Sequence, residues 1–189
     1  MEALIKVLDW LRRASQQVGE EYMMLPVAGS DPQYRERVYC YEFYHQLRCQ
    51  WDPNFEFSPC GEIDKRDHAY VQGKHLDMIT PDLLVHQPGD MNATSNLLAI
   101  GVKPANALIK EMRKDLRKLT ALRRDLKDAY NAPANYNHAL FWVFGLPREV
   151  WPHVRLELLS NDMEDIDVSL LRCFIHEGPG AAAVEVAWD

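Results

Sequence analysis

Apolar residues recur at helical spacing in two segments of the chain. Residues 3–18 and 105–130 have them three or four positions apart, which is typical of amphipathic helices. A further helix is predicted at residues 33–49, after a turn-rich stretch. The longest segment, 105–130, shows the clearest pattern, carried by Leu108, Met112, Leu116, Leu119, Leu122 and Leu126.

Shorter apolar runs predict β-strands between and after these helices. The run at 96–103 is nearly continuous, as expected for a strand that is covered on both faces. Residues 87–95 contain turn-forming residues and predict a hairpin loop before that strand. Further strands or hairpin segments are predicted at 55–57, 61–65, 80–86, 138–145, 153–159, 170–175 and 183–188.

This order of elements predicts an α/β fold with a central mixed β-sheet flanked by helices. We expect one domain over residues 1–189, because the chain has the length of one ordinary domain. Within it, 1–32 forms an N-terminal helix and linker, 33–145 a core, and 146–189 a set of C-terminal strands.

Composition narrows the classes of protein to which the chain can belong. With 47% hydrophobic and 26% charged residues, the chain has the balance of a globular protein. The net charge of −7 gives no general attraction to nucleic acid, so any such contact requires a local basic patch. The four cysteines form no C-x-x-C pair, and neither a signal peptide nor a membrane span is evident, which favours a cytoplasmic protein with reduced thiols and no membrane partner.

Two predicted strands carry groups suited to phosphodiester chemistry. Asp82 follows Pro81 at the start of one strand, and Lys103 ends the next, in the run Ile100-Gly101-Val102-Lys103. Residues 101 and 103 face the same side of a strand because side chains alternate, so an aspartate on the neighbouring strand can meet that lysine. Glu42 lies on the helix that precedes both strands.

This pattern resembles the PD-(D/E)xK nucleases, also called restriction-endonuclease-like proteins, over residues 34–145. In that family two carboxylates bind Mg²⁺, the metal activates a water molecule, and the lysine stabilises charge. The resemblance implies that Asp82 binds metal, that Lys103 is catalytic and that Glu42 is the acidic residue of the first core helix. It implies a restriction-endonuclease-like core and Mg²⁺- or Mn²⁺-dependent cleavage, with Glu42 or Glu62 supplying a further oxygen, in a DNA-handling role such as bacterial defence.

Gly101 departs from the family pattern, which has Asp or Glu at that position. Glycine offers no ligand oxygen, so losing this carboxylate weakens Mg²⁺ binding. Three interpretations stay open. The domain is a catalytically impaired nuclease that binds nucleic acid or a partner; a carboxylate elsewhere replaces the missing one and the enzyme is active; or the resemblance is coincidental. The candidates for a replacement are Glu42, Glu62 and Glu111.

Structural roles also account for the same residues. Asp82 could cap a turn by accepting hydrogen bonds from nearby backbone N–H groups. Glu42 could pair with Arg48 or His45 on its own helix. A non-enzymatic interaction subunit, as a homodimer or within a larger complex, is therefore the rival interpretation.

The long helix at 105–130 offers the basic patch that nucleic acid would require. Its basic residues alternate with acidic ones, so a solvated, ion-paired face is the ordinary interpretation. A net-positive run is nevertheless present and could dock a DNA or RNA backbone. The predicted nucleic-acid contacts are Lys110, Arg113, Lys114, Arg117 and Lys118.

Overall fold

The computed structural model describes residues 1–62, 75–76, 80–90, 93–123, 136–160 and 163–189. Its helices are α1 (Glu2–Gln16), α2 (Glu20–Met23), α3 (Glu36–Gln50), α4 (Ile109–Arg123) and α5 (Trp151–Leu159). Its strands are β1 (Leu25–Val27), β2 (Ser30–Gln33), β3 (Ser58–Cys60), β4 (Leu83–His86), β5 (Asn96–Pro104), β6 (His138–Phe144), β7 (Leu171–His176) and β8 (Val184–Val186).

Six of these strands form one mixed sheet in the order β3-β4-β5-β6-β7-β8. The first three are an antiparallel meander, β5, β6 and β7 are parallel, and β8 returns antiparallel. Helix α4 connects β5 to β6, the crossover that a parallel pair requires. Strands β1 and β2 pair separately, in a two-stranded antiparallel sheet. The predicted α/β class and mixed sheet are confirmed.

Helices cover both faces of the six-stranded sheet. On one face, α1 and α3 pack against the residues of β5 and β6 that include Ile100 and Trp142. On the other, α4 and α5 pack against residues that include Ala99 and Phe141. Alternate residues of one strand therefore enter different cores, which is why the run at 96–103 is apolar throughout.

The prediction of a strand at 153–159 was wrong, because these residues form most of α5. Val154, Leu156 and Leu158 alternate with polar residues and so imitate a strand. In the helix, Trp151 and Leu158 face the core instead, while Leu156 is 63% exposed. Pro152 is compatible with this start because proline is tolerated in the first turn of a helix.

Other boundaries differ less. The first strand of the meander is Ser58–Cys60 rather than 55–57. The predicted segment at 61–65 and the end of the long helix at 124–130 extend outside the described residues. Over the described ranges, no helix has the length and apolar character that crossing a bilayer requires.

Candidate functional site

The start of β4 and the end of β5 bring Asp82 and Lys103 into one cleft. Leu83 pairs with Ile100, so Asp82 lies beside Gly101 on the neighbouring strand. Gly101 and Lys103 both face α4, because they are two residues apart on β5. The cleft has a volume of about 430 Å³, and Asp82, Gly101 and Lys103 all line it. The geometric expectation that an aspartate and a lysine share one side of the sheet is met.

Charged residues from both helical layers complete the cleft. Its acidic lining residues are Glu36, Glu62, Asp82 and Asp115. Its basic lining residues are Arg37, Lys103 and Lys118. Each of the three cations has an ion-pair partner in the cleft: Arg37 with Glu62, Lys103 with Glu36 and Asp115, and Lys118 with Asp115.

Asp82 is fixed by the backbone of the neighbouring strand. Its Oδ2 accepts a hydrogen bond of 2.7 Å from the Val102 N–H. Burial raises the pKa of the Asp82 carboxyl to about 7, although this hydrogen bond and the nearby Lys103 ammonium favour the charged form. The aspartate therefore bonds a backbone donor of β5, rather than one in its own turn, and its burial favours the protonated form more than in a free carboxyl.

Lys103 carries the most enclosed positive charge of the cleft. Its Nζ lies 2.7 Å from Asp115 Oδ2 and 2.8 Å from Glu36 Oε2, and it donates to the Val102 carbonyl at 3.2 Å. The Lys103 side chain is 12% exposed and that of Asp115 10%. Burial acts to lower the pKa of the ammonium, but Asp115 and Glu36 outweigh it and hold the pKa above its ordinary value. Lys103 therefore stays protonated at neutral pH.

Helix α4 closes over the position where the family has an acidic residue. A Cβ added at Gly101 would lie 3.3 Å from Leu119 Cδ1, closer than ordinary van der Waals contact. Leu119 is 3% exposed, so its side chain fills the space in front of the glycine. A side chain at position 101 would therefore meet Leu119 first, although both residues also line the cleft.

Of the three suggested replacement carboxylates, only Glu62 reaches the cleft. It accepts two hydrogen bonds from the Arg37 guanidinium, at 3.2 and 3.3 Å. Glu42 lies outside the cleft lining, where its carboxylate accepts a 2.6 Å hydrogen bond from Gln46 on α3. Glu111 is exposed in the first turn of α4.

The predicted nucleic-acid contacts on α4 point in several directions. Arg113 donates to the carbonyls of Glu157 and Leu158 at the end of α5, and Arg117 donates to the Glu164 carbonyl. Arg113 thus holds the end of α5 against α4, and Arg117 holds the chain that follows α5. The remaining three are lysines: Lys110 and Lys114 are exposed, and Lys118 lines the cleft.

Three charged residues of the cleft were not predicted from the sequence: Glu36, Arg37 and Asp115. Asp115 had a detectable signal, since it interrupts the apolar stripe of α4 between Met112 and Leu119. It is 7% exposed, which for an aspartate requires partners. Glu36 gave no signal beyond its place in the first turn of α3.

The described residues do not fit the divalent metal that the resemblance implies. In that part of the chain, no three His, Cys, Asp or Glu side chains are grouped so that they could hold an ion. The carboxylates nearest to Lys103 are turned to its ammonium, and Glu62 is turned to Arg37. We therefore assign no catalytic step to a metal at this site.

Comparison of the chain with protein-family models, with curated protein sequences and with solved structures gave no match. The function is therefore argued from the cleft itself.

Proposed function

We propose that this chain is a nuclease-like domain of restriction-endonuclease-like architecture that binds nucleic acid at the Asp82–Lys103 cleft and is impaired in cleavage. The observation that carries the proposal is the convergence of Asp82 and Lys103, from adjacent strands, on one face of the sheet beside Gly101. In the nuclease family this pair lies at the scissile phosphate. The order helix, antiparallel meander, helix, parallel strand is compatible with this architecture and is shared by many α/β folds.

Two cations of the cleft, Arg37 and Lys118, can supply contacts for a phosphate backbone. Arg37 and Lys118 stand nearer to solvent than Lys103, with side chains 67% and 29% exposed against 12%. A phosphate oxygen can accept hydrogen bonds from these groups while each keeps its carboxylate partner. Because four carboxylates share the cleft and the chain carries −7, we expect weak, salt-dependent binding.

Cleavage is expected to be impaired because too few carboxylate oxygens of the cleft are available to bind a metal ion. Position 101 offers no oxygen, and the side chains of Glu36, Glu62 and Asp115 are engaged with cations. An active enzyme would have to release one of them and recruit Mg²⁺ or Mn²⁺. The −7 charge favours instead a second candidate, a protein-interaction subunit that binds no nucleic acid.

Fluorescence anisotropy with labelled single- and double-stranded DNA and RNA tests the binding. We expect Arg37→Ala and Lys118→Ala each to weaken binding and to reduce the slope of log affinity against log salt by about one. Lys110→Ala is the matched control, because it removes the same charge from an exposed position of α4 outside the cleft lining. Lys110→Ala should therefore lower the affinity less than Arg37→Ala or Lys118→Ala does.

Two results would contradict the proposal. If the chain binds none of these nucleic acids, the protein-interaction subunit is favoured. Equal loss of affinity in Lys110→Ala and Lys118→Ala would place the contact on the outer face of α4 rather than at the cleft.

A further inference from the structure

The Lys103 ammonium occupies the kind of oxygen-lined position that a bound cation takes. Oxygens from three elements surround it: Asp115 Oδ2 of α4 at 2.7 Å, Glu36 Oε2 of α3 at 2.8 Å and the Val102 carbonyl of β5 at 3.2 Å. Two of these are carboxylate oxygens, the ligand type that Mg²⁺ and Mn²⁺ prefer. The lysine is therefore the cation around which this side of the cleft is built.

We propose that Lys103 is a resident cation of the cleft, held by Glu36 and Asp115, and that it excludes divalent metal ions from these carboxylates. The inference starts from the cleft assigned above as a nucleic-acid site and adds that the site works with a tethered ammonium in place of a metal ion. The inference rests on the proposed function only for the role of the cleft. The exclusion of metal is argued from the contacts of Lys103 alone, so it can be tested without nucleic acid.

The oxygen atoms of Asp115 are already taken. Its Oδ2 faces Lys103 and its Oδ1 accepts a 3.1 Å hydrogen bond from Lys118. An incoming ion would have to displace the ammonium from Asp115 and Glu36 before it could approach to about 2.1 Å, the distance at which Mg²⁺ binds oxygen. It would also have to lose part of its hydration shell, which Mg²⁺ does reluctantly.

Tethering favours the lysine in this competition. The ammonium is covalently attached to β5, so it reaches the two carboxylates without the entropy loss that a free ion undergoes. Its side chain is 12% exposed and enclosed between α3 and α4, so it is already desolvated in the folded chain. Position 101 has no carboxylate that could draw a metal in from that side, and Leu119 packs against the glycine there.

Removing the ammonium should convert the cleft into a metal site. In Lys103→Met the side chain keeps much of its length but loses its charge, which leaves Glu36 and Asp115 without their central cation. We expect this variant to bind one Mn²⁺ per chain, at least about tenfold more tightly than the wild type. Electron paramagnetic resonance of free Mn²⁺ during titration measures the bound fraction.

Two further variants make the measurement specific. Lys110→Met makes the same substitution at an exposed position and should behave as the wild type. Adding Asp115→Asn to Lys103→Met should abolish the gain, because the site then lacks one of its two carboxylates. A folded Lys103→Met that gains no Mn²⁺ affinity would overturn the inference.

The wild-type chain gives a second test that does not depend on the folding of Lys103→Met. We expect its titration to show no Mn²⁺ held at the cleft. Mn²⁺ bound to the wild type and lost in Asp115→Asn would show that lysine and metal coexist, which contradicts the inference. If Lys103→Met gains Mn²⁺ affinity but the wild type binds no nucleic acid, the inference stands and the proposed function is rejected. If the wild type binds nucleic acid but Lys103→Met gains no Mn²⁺ affinity, the proposed function stands and the inference is rejected.

Discussion

At the scale of single residues, the glycine at position 101 is the residue on which the proposed loss of cleavage depends. Gly101 stands beside Asp82, where a second acidic group would complete a metal-binding pair. Leu119 has taken the space, since a Cβ at position 101 would lie 3.3 Å from its Cδ1. A new side chain there must push the leucine aside, and the leucine can yield because the contacting atom is the end of a flexible side chain.

Under the proposed function, a carboxylate placed at position 101 should produce metal-dependent cleavage. We expect Gly101→Glu combined with Leu119→Ala to nick supercoiled plasmid in Mn²⁺, because a carboxylate at position 101 would stand beside Asp82 with room to turn toward it. Gly101→Glu alone should gain less, since Leu119 obstructs it. Gel electrophoresis of the plasmid with time measures the nicking.

The controls separate charge from shape. Gly101→Gln with Leu119→Ala has nearly the same shape without the charge and should not nick. Leu119→Ala alone should also be inactive and should lower the free energy of unfolding by about 2–5 kcal/mol, the usual loss for a buried leucine. Equal nicking by the Glu and Gln variants would exclude a metal-binding role for the introduced carboxylate.

At the scale of elements, the sequence predicted those helices and strands whose apolar pattern is local. The stripe of α4 and the continuous run of β5 are examples, because each depends on the residues of one segment. Helix α5 was missed because its alternating apolar residues match a strand, and only packing against α4 distinguishes the two.

The charged site could be predicted only in part. Asp82 and Lys103 lie on paired strands, so their meeting follows from the spacing of one hairpin. Glu36 and Asp115 reach Lys103 from α3 and α4, and such long-range contacts leave no spacing signal in the sequence. The basic face of α4 was ambiguous for the same reason, because Arg113 and Arg117 bond to carbonyls that are more than 40 residues away.

A buried hydrogen-bonded group ties α3 to the sheet and should make stability depend on pH. The Tyr39 hydroxyl contacts His176 Nδ1 of β7 at 2.9 Å and accepts a 2.8 Å hydrogen bond from Trp142 Nε1 of β6. His176 is fully buried, and burial lowers its pKa to about 4, so the folded state holds it neutral. Burial also raises the pKa of Tyr39, which keeps the phenol uncharged.

The unfolded chain binds a proton at His176 near pH 6.5 and the folded chain only near pH 4, so acid favours unfolding between these values. We expect this histidine to remove up to about 3 kcal/mol of the free energy of unfolding as pH falls from 7 to 4. Urea unfolding across this range measures the effect, and His176→Asn should flatten the dependence. Equal slopes in wild type and variant would contradict a depressed pKa.

At the scale of the whole molecule, an acidic chain carries the proposed local site for phosphate. The net charge of −7 opposes binding, and the cleft sets its three cations, Arg37, Lys103 and Lys118, among four carboxylates. Lys103 is held by carboxylates from both sides of the sheet, so the cleft keeps its own cation. Binding should then proceed without added metal.

The most direct test is the binding isotherm of the wild-type chain with one labelled oligonucleotide, the form it binds best, in EDTA and in Mg²⁺ at matched ionic strength. The account predicts the same affinity in both solutions and an oligonucleotide that stays intact on a denaturing gel. Binding that requires Mg²⁺, or cleavage that appears when Mg²⁺ is added, would contradict the claim that a tethered lysine stands in for the metal.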